Sequence, residues 1–263
     1  MKNERNPVAK SLKALACLVE YPQSEVGVRE LAGVMNLAPS STHRLLVGLS
    51  EAGFDRQNAD NGRYELGLEF LRLAHVAGRK SPLHQRALPH MHTLVEACNE
   101  TALLGIYDPS RHEMLFAASV ESSHQLRYAI ELNSWCPIYA GASGLAILAF
   151  LEEPQIRAVI QRTRLAPLTA RSITEPYRLF AELNLIRSRH YAITHGQRLP
   201  GAIGLAAPLF GSNGEVVGDV CLTIPEQRFD EDSQPHLIDL LLDCTRKIMK
   251  DIGGSPRREL TNI

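Results

Sequence analysis

The cysteine side chains are the first candidates for chemistry in this chain. There are five, Cys17, Cys98, Cys136, Cys221 and Cys244, and no two have the CxxC spacing of redox or zinc sites. Their odd number and scatter predict neither a disulfide framework nor a structural zinc site. Cys221, His195 and Asp219 offer a nucleophile, a base and an orienting acid. No segment around Cys221 resembles a nucleophile motif, so we predict no catalytic residue and no enzyme.

The histidines offer a second chemistry, the binding of a metal ion. His84, His90, His92, His112 and His124 fall within one stretch of the chain. His90 and His92 are two residues apart in a predicted helix, where side chains do not face each other. We therefore predict surface histidines, no metal site and no cofactor.

Small polar and basic residues around position 40 indicate a third chemistry, DNA binding. A helix presenting them fits the major groove, with its N-terminal residues nearest the bases. Arg44 contacts a base or phosphate in this interpretation, and a salt bridge to Glu51 is the alternative. Arg56 and Arg63 would approach the backbone or minor groove, and Lys10 and Ser11 the phosphates. The predicted contacts are Lys10, Ser11, Ser40, Ser41, Thr42, His43, Arg44, Arg56 and Arg63.

These side chains need a winged helix-turn-helix to position them. Apolar spacing predicts a helix over residues 8–20 and a short helix through Val28 and Met35. A third helix runs from an N-cap at Ser40 to Ala52, and its inward face includes Thr42. Strands at residues 54–56 and 64–66 flank an Asn-Gly turn, which is typical of a hairpin. A winged helix used only for protein contacts is the alternative, which the outward Ser40, Ser41 and Arg44 and the basic wing disfavour.

The segment after the wing, residues 67–79, is apolar on almost every side. Such a helix favours burial, and a second copy of the chain is the natural partner. We predict a winged helix-turn-helix domain over residues 1–66 and a dimerising linker helix over 67–81. An effector domain over 82–252 and a flexible tail over 253–263 follow.

The C-terminal pattern predicts helices interleaved with strands joined by hairpins, hence an α+β fold with an antiparallel sheet. Strands are expected at residues 101–107, 113–120, 126–131, 202–210 and 215–224. Helices are expected at residues 83–98, 143–151, 153–163 and 175–189, with a last one opening at Asp230 or Asp232.

Composition sets limits on the function. Lys and Arg number 28 against 29 Asp and Glu, a net charge of −1, so charge alone does not indicate nucleic-acid binding. The longest apolar runs, residues 144–151 and 202–210, are too short to span a bilayer. The N-terminus has no apolar targeting segment. We predict a cytoplasmic protein without a membrane partner.

In the order and spacing of its motifs, the chain resembles the IclR-type transcriptional regulators. The N-terminal part has Ser41-Thr42-x-Arg44-Leu45-Leu46, Glu51-Ala52-Gly53-Phe54 and Gly62-Arg63-Tyr64-x-Leu66-Gly67. The C-terminal part has Gly141-Ala142-Ser143-Gly144, Pro200-Gly201, Ala206-Ala207-Pro208 and Gly214-x-Val216-x-Gly218. The resemblance implies a winged helix-turn-helix, a linker helix used in dimerisation and a GAF-like effector domain. It also implies homodimers, often paired as tetramers, on double-stranded operator DNA.

The resemblance also implies an effector pocket for a small organic acid or aromatic metabolite. By this carry-over the pocket is lined by Gly141, Ala142, Ser143, Thr194, Gly204, Cys221 and Thr223. Trp135 and Tyr139 stand just before the glycine turn and would supply aromatic walls. Backbone amides at Gly141–Ser143 would hold a carboxylate, although this turn could serve only close packing. No Arg or Lys is among these residues, which favours a neutral or weakly held ligand. Gly204 stands where some members have Cys, and the space predicts a bulkier, aromatic ligand.

Overall fold

The computed structural model describes residues 6–79 and 82–255. Contacts divide the chain into two compact units, residues 1–81 and 82–263. The predicted tail from residue 256 onward lies outside the described residues. No helix within the described residues is long and apolar enough to cross a membrane.

The first unit begins with three helices, α1 (Pro7–Val19), α2 (Val28–Met35) and α3 (Pro39–Glu51). They pack around a small core of Ala14, Leu18, Leu31, Leu46, Leu49 and Tyr64. Asn36 ends α2 in the left-handed conformation, with a φ of 53°, and so makes the tight turn into α3. The three predicted helices are therefore confirmed.

The start of α3 differs from the prediction. The N-cap is Ala38, which has no side chain able to cap, and Ser40 lies inside the helix. Pro39 occupies the first helical position, where a missing N–H costs nothing and a fixed φ favours the helix. Proline, rather than a serine hydroxyl, therefore sets this end of the helix.

The predicted wing is an antiparallel hairpin of β1 (Asp55–Gln57) and β2 (Tyr64–Leu66). Gly62 has a φ of +70° and lets the turn close. Tyr64 is buried, and its backbone pairs with Val26 just before α2, so the hairpin is tied to the helices.

The apolar segment after the wing forms α4 (Leu68–Arg79). Leu68 is 81% exposed in the single chain, and Leu71 and Leu73 are exposed as well. This helix thus presents apolar side chains that its own unit does not cover.

The second unit contains a six-stranded sheet with helices on both faces. Its helices are α5 (Pro82–Cys98), α6 (Ala142–Leu148), α7 (Glu153–Thr163), α8 (Pro176–Arg189) and α9 (Gln234–Ile252). Its strands are β3 (Thr101–Asp108), β4 (Glu113–Val120), β5 (Trp135–Pro137), β6 (Ala192–His195), β7 (Ala202–Phe210) and β8 (Val216–Pro225). They are arranged in the order β5-β4-β3-β8-β7-β6, and neighbours are antiparallel. The α+β class and the antiparallel sheet are confirmed.

Two apolar cores lie on opposite faces of this sheet because side chains alternate along each strand. On one face α5 and α9 pack on the sheet, burying Met91, Leu104, Val220, Leu241 and Ile248. On the other face α6, α7 and α8 cover Leu103, Phe116, Ala206 and Cys221. This second face contains the cavity described below.

One predicted C-terminal strand is wrong, and the two short strands β5 and β6 were not predicted. Residues 126–131 form no strand, and β5 pairs with β4 instead. Individual hydrogen bonds connect this stretch to distant parts of the chain. The Arg228 guanidinium donates to the Leu126 carbonyl, and the Tyr128 hydroxyl donates to the Pro200 carbonyl. The four-residue strand β6 was missed, and α9 is preceded by a 3-10 turn over Glu231–Ser233.

Candidate functional site

The outward face of α3 is polar and open. Ser40, His43 and Arg44 are exposed, Val47 is 37% exposed and Ser41 is half-buried. Within the described residues Arg44 makes no ion pair or hydrogen bond, so the alternative salt bridge to Glu51 is absent. A helix with free donors on one face and an apolar face packed on two helices can enter a major groove.

Thr42 does not belong to this face. Its side chain is fully buried, and its hydroxyl donates to the Ala38 carbonyl at 3.3 Å. The prediction that Thr42 contacts DNA is therefore wrong, because the i, i+4 spacing that buries Leu46 also turns Thr42 inward.

The wing arginines are engaged within the protein. The Arg63 guanidinium donates to Glu30 Oε2 at 2.7 Å and to the Glu25 carbonyl at 3.2 Å. The Arg56 Nε donates to Glu65 at 2.8 Å. Either arginine must leave its carboxylate before it can contact a phosphate, so these two contacts stay predictions.

The two predicted phosphate contacts on α1 differ in freedom. The Ser11 hydroxyl donates to the Pro7 carbonyl at 3.2 Å, and both Ser11 and Lys10 are half-buried. Among the described residues Lys10 makes no ion pair. Its ammonium is therefore the freer donor of the pair.

A cavity of about 50 Å³ lies between the sheet and α6. Seven of the predicted pocket residues line it, namely Gly141, Ala142, Ser143, Thr194, Gly204, Cys221 and Thr223. The register brings them together, because Gly204 pairs with both Thr194 and Thr223 on the neighbouring strands. The remaining lining residues include Leu103, Phe116, Ile130, Gln197 and Arg198.

The two predicted aromatic walls lie elsewhere. Trp135 is 40% exposed on β5, and the Arg111 guanidinium lies 4.5 Å from its ring centre. Tyr139 is buried, and its hydroxyl donates to the Ala166 carbonyl at 2.8 Å. Neither side chain lines the cavity, so this part of the prediction was wrong.

Arg198 is the charged lining residue among those that the sequence did not predict. Its Nη2 donates to Cys136 Sγ at 2.7 Å, and the guanidinium lies 5.3 Å from the centre of the Phe116 ring. Its Nη1 is buried and has no partner among the described residues. Gly141 allows this placement, because its φ is +79° and a Cβ there would lie 2.9 Å from Arg198 Cβ. The expectation of a cavity without a cation is wrong.

Other polar atoms beside the cavity also lack partners. Within the described residues, Ser143 Oγ, Gln197 Oε1 and both carboxyl oxygens of Asp219 are buried without a hydrogen bond of normal geometry. Buried polar atoms are rarely left so in folded proteins. Ser143 and Gln197 line the cavity, so a ligand could satisfy them.

Asp219 lies directly behind this cavity. It follows the alternation of β8, so its side chain points to the same face as Cys221 and Thr223. Burial raises the pKa of Asp219 to about 7, while the neighbouring Ser143 hydroxyl and the charge of Arg198 act in the opposite direction. A Cβ on Gly105 would lie 1.9 Å from Asp219 Oδ1, so the glycine makes room for the carboxyl group.

The space expected at Gly204 is already filled. A Cβ there would lie 2.9 Å from Ala142 Cβ and 3.1 Å from Thr194 Oγ1. The glycine permits the close approach of α6 and β6 to β7, and it opens no room for a bulkier ligand. Gly204 therefore gives no support for an aromatic ligand.

The three residues considered as a catalytic set do not form one. Burial, helped by the nearby Asp219 charge, raises the pKa of the Cys221 thiol to about 12, so it is protonated near neutral pH. His195 is exposed, with its ring 6.0 Å from that of Phe229. Among the described residues Asp219 makes no hydrogen bond to His195, so it does not orient that side chain as a base.

Three of the five histidines considered for a metal site each contact a different side chain. His90 contacts Asp251 at 2.8 Å, His112 contacts the Tyr107 hydroxyl at 2.9 Å and His124 contacts Asn99 at 3.3 Å. In the part of the chain that the structure describes, no three His, Cys, Asp or Glu side chains form a group that could hold a metal ion.

Comparison with known proteins places these features in a family. The model of the bacterial transcriptional regulator IclR C-terminal domain matches residues 75–250, and that of the IclR helix-turn-helix domain matches residues 7–59. The HTH-type transcriptional regulator KipR of Bacillus subtilis (strain 168) is 27% identical over 253 residues, which are 96% of this chain and 99% of KipR.

Two solved structures show the same fold. The crystal structure of the Thermotoga maritima IclR has a TM-score of 0.71 and 27% identity, covering 94% of this chain and 98% of that one. An IclR homologue from Microbacterium hydrocarbonoxydans, complexed with 4-hydroxybenzoate, has a TM-score of 0.80 and 21% identity, covering 94% and 99%. The relatives are named transcriptional regulators, a class of proteins without enzymatic activity. This chain belongs to the IclR family of helix-turn-helix DNA-binding transcription regulators, with a C-terminal effector domain.

Proposed function

We propose that this regulator senses a small carboxylic acid in the cavity of its second unit, and that Arg198 holds the carboxylate. The observation that carries the proposal is the buried, unpartnered Nη1 of Arg198 in a cavity with otherwise uncharged walls. Guanidinium groups favour carboxylates because their N–H donors match the two oxygens. Ser143 and Gln197 supply further polar atoms that a ligand would satisfy.

The size of the cavity favours a short acid. One water needs about 10–15 Å³ of such space, so about 50 Å³ holds only a few heavy atoms in this conformation. The 4-hydroxybenzoate of the Microbacterium relative supports the class of carboxylates, and an aromatic acid of that size would require the cavity to widen. Acetate and propionate are therefore the first probes, and benzoate and 4-hydroxybenzoate the second.

We further propose that the regulator binds a two-part operator in the cytoplasm as a homodimer, through Ser40, Ser41, His43 and Arg44 of α3. The exposed apolar side chains of α4 support a second copy as their partner, since a lone helix gains nothing by exposing them. The modest charge of the chain supports two linked sites, because few phosphates are neutralised per copy. An acid that prefers one arrangement of the domains would change operator affinity.

The experiment that tests the effector site compares Arg198→Gln with Arg171→Gln in the full chain. Arg171 is an exposed arginine paired with Glu226, and it does not line the cavity. Each acid and its neutral amide are titrated against thermal unfolding, since a ligand that binds only the folded state raises the melting temperature. We expect acids, and not amides, to stabilise the wild type and Arg171→Gln but not Arg198→Gln. Equal stabilisation of all three proteins would contradict the proposal.

A further inference from the structure

Asp219 is a buried acid next to the proposed effector site. It is fully buried, neither carboxyl oxygen has a hydrogen bond of normal geometry among the described residues, and the neighbouring Ser143 lines the cavity. A buried carboxylate without a partner is costly, so the neutral acid is favoured. A neutral carboxylic acid can donate a hydrogen bond, and the oxygen of the nearby Ser143 hydroxyl can accept it.

We propose that Asp219 is a positioning residue of the effector site. It takes up one proton when the effector binds, and it orients the Ser143 hydroxyl so that this hydroxyl donates a hydrogen bond to the carboxylate of the effector. The inference rests on the proposed function, since it needs an anion beside Arg198. In the bound state Asp219 donates to Ser143 Oγ, and the Ser143 hydroxyl donates to the effector. The proton comes from solvent and returns there when the effector leaves.

The geometry supports one anion contacting both Arg198 and Ser143. Arg198 packs against Gly141, two residues before Ser143 on the chain. The charge of Arg198 also reaches Asp219, where it opposes protonation. An anion placed beside Arg198 neutralises that charge and adds its own, so both effects favour the protonated form of Asp219.

The groups that could imitate this proton uptake are few. Guanidinium groups are not deprotonated in proteins, and burial raises the pKa of the Cys221 thiol to about 12, above the range of the test. The strand partners of Asp219, Gly105 on β3 and Pro208 on β7, carry no ionisable side chain. Met114 on β4 and Ser143 on α6, which also lie near Asp219, are uncharged. Cys136 contacts Arg198 and therefore needs its own control.

The test measures acetate binding to the full chain by calorimetry between pH 6 and 8.5, at constant ionic strength, in buffers of different ionisation enthalpy. Acetate stays ionised throughout, and acetamide is the neutral control. For the wild type we expect uptake of up to one proton and an acetate Kd that rises by up to about tenfold per pH unit above pH 7. Acetamide binding should not depend on pH.

Two variants separate the relay from a merely structural role. Asp219→Asn mimics the neutral acid, so it should bind acetate with a Kd that is independent of pH and with no proton uptake. Ser143→Ala should weaken acetate binding at pH 6 by about tenfold, the effect of losing one hydrogen bond to a charged group. Cys136→Ser should keep the pH dependence of the wild type.

The possible results distinguish failure of this inference from failure of the proposed function. If acetate binds through Arg198 with the same Kd from pH 6 to 8.5, or if Asp219→Asn keeps the wild-type profile, the inference is overturned and the proposed function stands. The inference is also overturned if Cys136→Ser loses the pH dependence. If acetate binding is absent at every pH, or is unchanged in Arg198→Gln, the proposed function fails and the inference fails with it.

Discussion

Replacing Asp219 by asparagine should change how the stability of the second unit depends on pH. The unfolded chain ionises this carboxyl near its ordinary pKa of 3.8, whereas burial raises the pKa in the folded protein to about 7. Because the folded state binds the proton more tightly, the stability that this group contributes is fully present below about pH 4. It declines as pH rises and has been lost above the folded pKa.

The magnitude follows from the size of the shift. About three pKa units at 1.36 kcal/mol each give an upper limit of about 4 kcal/mol between the two extremes of pH. Between pH 5 and pH 8 the same linkage gives a loss of about 2–3 kcal/mol in the free energy of unfolding. Asp219→Asn cannot ionise, so its profile should lack this loss and the variant should be the more stable protein at pH 8.

The assay uses the single tryptophan of the chain. Trp135 lies on β5, so its fluorescence during urea unfolding reports the second unit. Asp239→Asn, on an exposed position of α9, is the matched control and should keep the slope of the wild type. Parallel profiles for the wild type and Asp219→Asn would refute the reasoning, since they would mean that the buried carboxyl group does not titrate in this range.

The first unit gives three further predictions. Arg44→Ala should weaken operator binding by about 1–3 kcal/mol, measured by fluorescence anisotropy, without changing the melting temperature. Leu46→Ala should destabilise the unit by about 2–5 kcal/mol in urea unfolding followed by circular dichroism, because Leu46 is fully buried, whereas the neighbouring exposed Val47→Ala should not. Glu30→Gln removes the charge that holds Arg63, so the slope of log affinity against log salt should steepen by up to roughly one; an unchanged slope would mean that Arg63 stays away from DNA.

Local patterns were enough to predict most of the fold. Apolar residues recur at helical spacing within each helix, as Leu31 and Met35 do in α2 and Leu46 and Leu49 in α3, and the Asn-Gly pair before Arg63 fixes the wing turn. Such features are set by neighbours in sequence, so they are readable without coordinates. Residues 126–131 misled the prediction, because their apolar pattern suggested a strand although the backbone there pairs with no strand. Their contacts are made with Arg228 and Pro200, far away in sequence.

The site shows where sequence reasoning ends. The resemblance to the family placed seven of the lining residues, and the alternation of Cys221 and Thr223 along one strand agreed with it. Arg198 was missed because it lies in a loop without a periodic signal, and only the three-dimensional contact with Gly141 brings it into the cavity. Trp135 and Tyr139 were assigned by closeness in sequence, yet they contact Arg111 and the Ala166 carbonyl. The crowding at Gly204 depends on α6 and β6, which approach only in the folded sheet.

We propose that an acid bound at Arg198 changes the affinity of α3 for operator DNA. The most direct measurement is fluorescence anisotropy of the full chain on DNA from immediately upstream of its own gene, or on DNA selected from random sequence, with and without the acid panel. We expect salt-sensitive, sequence-specific binding whose affinity changes with at least one acid in the wild type and in Arg171→Gln, but not in Arg198→Gln. Specific binding with an affinity that no acid changes, or that changes equally in all three proteins, would contradict the proposed function.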